Sequence, residues 1–227
     1  MFSLGLMKRQ HPDGAATKAV VFDLGGVLID LQSDAAGREL TEKYGVRPES
    51  FDRLTRSCFT SPERSITELA MLGKVGIAQY LQAFLRECTI KDVEGIRANR
   101  LSVVGNERAD VFALARQLQR AGHLCCVFSN TIALHWEKLS SRREYPSLCG
   151  FDGIFASHLI GRAKPREDAF SFVADALKMR MSHCFLIDDT PLNVRRAVSA
   201  GWRSLLFSDA ATLQQQLITE GLCHTNA

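Results

Sequence analysis

Four short apolar runs punctuate this chain: AVVFDL (Ala19 to Leu24), HLCCVFS (His123 to Ser129), CFLIDD (Cys184 to Asp189) and RSLLF (Arg203 to Phe207). The first three close on, or just after, a carboxylate or a hydroxyl. Runs this short and this continuously apolar belong to strands buried on both faces, as in parallel sheets covered by helices. Helical patterns separate them. Glu107 to Ala121 sets Val111, Leu114, Ala115 and Leu118 on one face and ends at Gly122. After Lys164, PREDAFSFVADALKM repeats the pattern with Phe170, Val173, Ala174 and Leu177, and TPLNVRRAVSAG offers Thr190 as N-cap, Pro191 at the first helical position and Gly201 just past the end. Strand then helix, repeated, predicts a doubly wound, Rossmann-like α/β core built on a parallel sheet.

The interval between the first run and the Glu107 helix is different. From about Asp34 to Val104 it shows helical periodicity and no convincing strand, with Tyr80, Leu81, Phe84 and Leu85 as the best apolar stripe. The expected organisation is therefore an N-terminal arm at residues 1–17, an α/β core at 18–33 and 105–227, and an inserted α-helical cap at 34–104. An insertion directly after the first strand sits over the carboxyl ends of the sheet, where open α/β folds bind ligands.

Composition narrows the partners. The net charge of +3, from 28 basic and 25 acidic residues, is spread along the chain without the runs expected of a nucleic-acid or membrane-surface tail. The start MFSLGLMKRQHPDGAATK places apolar residues before Lys8 and Arg9, the reverse of a signal peptide's order, and no apolar run reaches membrane-spanning length. Seven cysteines without CxxC spacing, two of them adjacent at Cys125 and Cys126 inside an apolar run, fit reduced thiols in a cytoplasmic protein.

The chemistry lies at the strand ends. Asp23 ends the first run, Ser129 the second, and the Asp188-Asp189 pair the third; the topology brings these ends to one edge of the sheet. Three close carboxylates repel one another unless a cation sits among them, and hard oxygen ligands beside a phosphate favour Mg²⁺. Lys164 and a hydroxyl supply the point charge and donors that a transferring phosphoryl group needs.

VVFDLGGVL, VFSNT, GRAKPREDAF and FLIDDTPLNVRRAVSAG, in that order, resemble the four motifs of the haloacid dehalogenase superfamily in its helical-cap form, closest to the branch of sugar-phosphate phosphatases and the phosphatase domain of epoxide hydrolases. The resemblance implies Asp23 as a nucleophile that is phosphorylated and then hydrolysed. It implies phosphate binding by Ser129 and Asn130, charge neutralisation by Lys164, and Mg²⁺ held by Asp23, the Gly25 carbonyl and Asp188, with Asp189 a ligand through water or a supporting residue.

One position departs from that pattern. Phosphatases of the family carry a second Asp two residues after the nucleophile, as general acid and base; here the residue is Gly25. General acid-base catalysis contributes roughly 10²–10⁴-fold, so its loss predicts a slow enzyme that needs good leaving groups, or none. Asp30, nearby in sequence, reads as a solvated turn acid or a substitute base. His135 and His158 follow motif-bearing segments and read as surface residues or cleft residues, Arg195 and Arg196 as solvent-facing or ion-paired, and Trp202 as core. The expected activity is Mg²⁺-dependent hydrolysis of a small phosphorylated metabolite; a catalytically weak or inactive binding protein and a haloacid dehalogenase are the alternatives.

Overall fold

A computed structural model describes residues 17–223, so the expectation of an N-terminal arm falls, apart from Thr17, outside the described residues. In chain order the elements are β1 (Ala19–Phe22), β2 (Ile29–Leu31), α1 (Ser33–Tyr44), α2 (Pro48–Thr55), α3 (Ile66–Met71), α4 (Ile77–Glu87), α5 (Val93–Ser102), β3 (Val104–Glu107), α6 (Ala109–Arg120), β4 (Leu124–Ser129), α7 (Ala133–Leu139), β5 (Gly153–Ala156), α8 (Ser157–Ile160), α9 (Glu167–Ala176), β6 (Cys184–Asp188), α10 (Pro191–Ser199), β7 (Arg203–Leu206) and α11 (Ala210–Thr219).

Five strands form one parallel sheet in the order β5-β4-β1-β6-β7, with β1 at its centre. Side chains alternate across it. Val20, Phe22, Cys125, Val127, Phe185 and Ile187 point to one face, where they meet Val111, Leu114 and Leu118 of α6 and Leu213 and Leu217 of α11. Ala19, Val21, Leu124, Cys126, Phe128, Cys184 and Leu186 point to the other, against Phe170 and Val173 of α9, Ala197 of α10 and Trp202. Both faces are therefore covered, which is why the central strands lack the polar alternation of a half-exposed sheet. The fold is a three-layer α/β sandwich of Rossmann-like form. Trp202 is core as expected, packing edge-to-face on Phe170.

The strand order reverses beside β1: the chain leaves β1 for β4 and β5 on one side and returns through β6 to the other. Register then places the residues. Phe22 lies opposite Val127 and Ile187, so Asp23, Ser129 and Asp188 all emerge at the carboxyl edge around this switch point.

Helices α1 to α5 intervene between β2 and β3 and gather around their own cluster, in which Tyr80, Leu81, Phe84 and Leu85 are all buried. That cluster also takes in Ile132 and Leu134 from the loop and helix after β4, so the insert packs on the sheet edge. The antiparallel β2-β3 pair joins the two ends of the insert, Ile29 opposite Glu107. Glu107 thus belongs to a strand, and the helix expected to start there begins at Ala109. Gly122 and Gly201 have positive φ, +91° and +87°, as helix-ending glycines should.

Candidate active site

The turn after β1 positions the first carboxylate. Asp23 N donates to the Ile187 carbonyl at 2.8 Å, extending the β1-β6 ladder by one residue, and the chain then reverses through Leu28 N and Ile29 N, which both donate to the Leu24 carbonyl (2.9 and 2.8 Å). Gly26 makes this possible. Its φ is +83°, and a Cβ there would collide with the Asp189 carboxylate. Gly25, by contrast, does not have positive φ; a Cβ on it would first meet the Leu31 side chain, at 3.1 Å.

Lys164 is the hub of the constellation. It is fully buried, with Nζ 2.9 Å from Asp23 Oδ1 and 2.6 Å from Asp188 Oδ2. Burial alone would lower its ammonium group, but Asp188 and Asp23 hold it above its ordinary value. Burial pushes the Asp23 carboxyl up to about 7, with the Asp188 charge adding to the rise and Lys164 opposing it. Asp23 Oδ1 also accepts from Leu24 N at 2.7 Å, whereas its Oδ2 has no hydrogen-bond partner among the described residues. One oxygen is fixed and the other is free.

Asp188 and Asp189 divide their work. Asp188 is buried, and its oxygens already accept from Lys164, from Thr190 N at 2.9 Å and from Asn193 Nδ2 at 3.0 and 3.1 Å. Asp189 lines the cavity, and burial raises its carboxyl, with Asp188 adding to the shift. Oxygens of Asp23, Asp188 and Asp189 lie within 4.8 Å of one another. Carboxylates packed this closely, all offering oxygen donors, match a hard divalent cation such as Mg²⁺. Since the oxygens of Asp188 are the more committed, Asp23 and Asp189 have more left to offer a metal.

Ser129 is buried at the end of β4, and its hydroxyl makes no hydrogen bond to the described residues. Asn130, expected to contact phosphate, spends its amide differently: Nδ2 donates to the Lys164 carbonyl (2.7 Å), and Oδ1 accepts from Lys164 N (2.9 Å). This clamp fixes the backbone that carries the lysine. Asn193, in the first turn of α10, was not singled out by sequence reasoning, although its place five residues after Asp188 puts it on the side of the turn that faces back to that carboxylate.

The constellation opens into a cavity of about 580 Å³ between the strand ends and the insert, within the roughly 300–1,000 Å³ typical of small-molecule sites. Asp30 does not line it; it forms an ion pair with Arg108 at 2.6 Å and is no substitute base in this arrangement. His158 also lies outside its lining, beneath Trp136, and Arg195 and Arg196 are exposed. His135 does line the cavity. It is held at the surface of the core because its Nε2 donates to the Arg100 carbonyl at 3.0 Å. The insert contributes Phe51, Met71, Tyr80 and Arg100, none of which stands in a motif that sequence reasoning could interpret.

Residues 17–201 match the model of the haloacid dehalogenase-like hydrolase family. Bifunctional epoxide hydrolase 2 of Rattus norvegicus is 26% identical over 220 residues, which cover 89% of this chain and 38% of the relative. The chain thus spans well under half the length of the curated relatives it matches. A HAD family enzyme of Bacteroides thetaiotaomicron, solved with magnesium and inorganic phosphate, superposes with a TM-score of 0.71 at 20% identity, covering 87% of this chain and 99% of that one. A HAD-like family hydrolase of Porphyromonas gingivalis gives 0.74 at 23% identity, covering 93% and 100%. At these identities the solved structures speak for the fold, while the family match takes in both flanks of the insert and all four motif segments. The chain belongs to the haloacid dehalogenase-like hydrolases.

Proposed function

We propose that the protein is a Mg²⁺-dependent phosphomonoester hydrolase that acts on a small phosphorylated metabolite through an aspartyl-phosphate on Asp23. The observation that carries this reading is the buried Lys164 bridging Asp23 and Asp188 within a cluster of three carboxylates, two of which line one cavity. Asp23, Asp189 and the Gly25 carbonyl would hold the metal, with Asp188 orienting Lys164. When bound, Mg²⁺ supplies charge neutralisation between the carboxylates and the phosphoryl oxygens. The free Oδ2 of Asp23 attacks phosphorus, while Lys164 keeps the attacking carboxylate in place and balances charge on the phosphoryl group. The Ser129 hydroxyl donates to an equatorial oxygen. The helical insert serves as the cap that excludes water and selects the leaving group. Support also comes from the magnesium and phosphate bound by the Bacteroides enzyme of the same fold.

Among the described residues, the carboxylates lining the cavity are Asp23 and Asp189, so no third acid stands ready to protonate a leaving group. Turnover therefore favours leaving groups that depart as stable anions. The test is phosphate release from p-nitrophenyl phosphate, sugar 1-phosphates and alkyl phosphates, with Mg²⁺ and with EDTA. Mg²⁺-dependent turnover that falls steeply from aryl to alkyl esters is expected. No hydrolysis of any ester at millimolar Mg²⁺ would favour the binding-protein reading, to which Gly25 points, and undiminished hydrolysis in EDTA would exclude the metal.

A further inference from the structure

Arg100, near the end of α5, is only 6% exposed, yet it has no carboxylate within ion-pair distance among the described residues. A buried guanidinium is costly to desolvate and is ordinarily paired with an acid. Here Nε donates to Tyr80 Oη at 3.3 Å and Nη1 to Asn99 Oδ1 at 3.5 Å, both long, while Nη2 has no hydrogen-bond partner among the described residues. The planar group lies over the Phe84 ring, 4.9 Å from its centroid, which orients it without neutralising it. His135, hydrogen-bonded to the Arg100 carbonyl, is driven down by burial and by the Arg100 charge, and an imidazole, whether neutral or protonated, supplies no counter-charge. Arg100 lines the same cavity as Asp23 and Lys164. Lys164 is matched by two carboxylates, so the one cavity-lining cation without an acid among the described residues is on the insert side.

We propose that Arg100 receives a second oxyanion of the substrate, a carboxylate or a second phosphate, and that the substrate class is therefore small metabolites bearing such a group in addition to the phosphate that is cleaved. The proposal rests on the phosphatase reading for the identity of the first group. A guanidinium fork fits either oxyanion with paired N–H donors. Tyr80 completes the subsite: its oxygen accepts from Arg100, which leaves its own proton to donate to the ligand.

The test uses the full chain with Mg²⁺ and non-hydrolysable probes. Calorimetric titration compares ω-phosphonocarboxylates and α,ω-bisphosphonates of graded length with alkylphosphonates of the same length. In the wild type at least one length of probe with two oxyanion groups should bind about tenfold or more tightly than its alkyl counterpart, and Arg100→Met, checked for folding by its melting curve, should erase most of that advantage. The better-binding arm identifies the second group. Equal affinities in the wild type at every length, or an advantage that survives in folded Arg100→Met, would overturn the proposal; if that variant does not fold, Tyr80→Phe must reduce the advantage several-fold or the proposal fails. Hydrolysis of the matching phosphate esters is read in parallel. Arg100-dependent binding without hydrolysis would sink the phosphatase reading and keep the subsite, whereas hydrolysis without Arg100 dependence would do the reverse.

Discussion

At Gly26 a side chain is excluded twice over, by a φ of +83° and by the Asp189 carboxylate that occupies the space a Cβ would need. At its neighbour Gly25 neither reason applies, since φ is not positive and the nearest obstacle is Leu31, a 48% exposed side chain able to turn aside. The two glycines should therefore respond differently to substitution. Gly26→Ala should cost about 1–3 kcal/mol of stability, read as a lower denaturant midpoint, because it forces a left-handed alanine into the turn and displaces Asp189. Gly25→Asp should fold, and by supplying a proton donor it should raise turnover of alkyl phosphates up to roughly 10²-fold while moving p-nitrophenyl phosphate least. A well-folded Gly25→Asp with activity unchanged or uniformly lower on both substrate types would mean that the acid is already supplied elsewhere or that the cavity is not catalytic. The glycines of the first motif were legible as a turn from sequence, but which of them the turn requires was not, because that depends on Asp189, a residue more than a hundred positions away that folding brings against Gly26.

Helix α7 holds the end of α5 and the start of β3 through side chains: His135 Nε2 donates to the Arg100 carbonyl at 3.0 Å, where the α5 ladder runs out, and Lys138 Nζ to the Val104 carbonyl, at the start of β3, at 2.7 Å. The histidine pays for this docking at low pH. Burial, with Arg100 and Lys138 adding to it, pushes His135 down to about 4, below its value in the unfolded chain, so the folded state binds fewer protons. Its contribution is whole above about pH 6.5 and is lost as pH falls toward 4, at most about 3 kcal/mol. His135→Gln, which keeps a donor but cannot titrate, should lose less stability between pH 7.5 and 5 than the wild type in urea unfolding; parallel losses would contradict the assignment. Sequence singled out His135 as a surface or cleft residue but could not have found this role, since its partner is a main-chain carbonyl on another element. The same physics separates legible elements from hidden ones. β1, β4, β6 and β7 stood out as apolar runs because three of them are covered on both faces and the fourth continues their sheet. β5 escaped notice because Gly-Ile-Phe-Ala offers only Ile and Phe as strong strand formers, and β2 and β3 because their pairing joins Ile29 to Glu107 across the whole insert and Val-Gly-Asn-Glu has little strand character of its own.

Taken as a whole, the molecule sets a rigid sheet edge carrying Asp23, Ser129, Lys164, Asp188 and Asp189 beneath a helical insert whose cluster extends onto Ile132 and Leu134. The sheet edge was readable because polar residues at the ends of apolar runs have few alternatives; the insert's contribution, Arg100 and Tyr80, was not, because helical periodicity reports burial and says nothing of which buried residue faces a cavity. Among the described residues no helix is long and apolar enough to cross a membrane. A metal bound among carboxylates that are otherwise left to repel one another should stabilise the folded chain, by about 2.7 kcal/mol at a hundred times Kd, or roughly 5–10 °C for a protein of this size. Asp189→Asn should raise the metal-free melting temperature and abolish the Mg²⁺-induced shift; a shift that survives in that variant would place the ion elsewhere. The central claim is that Asp23 becomes phosphorylated, and the most direct measurement is to quench the protein during turnover of p-nitrophenyl phosphate with Mg²⁺, reduce with borohydride, and locate the product by peptide mass spectrometry. An acyl phosphate is reduced and a free carboxylate is not, so the account predicts homoserine at position 23, absent when EDTA replaces Mg²⁺. Homoserine at another aspartate, or none in a preparation that is turning over and is quenched under single-turnover conditions, would contradict it.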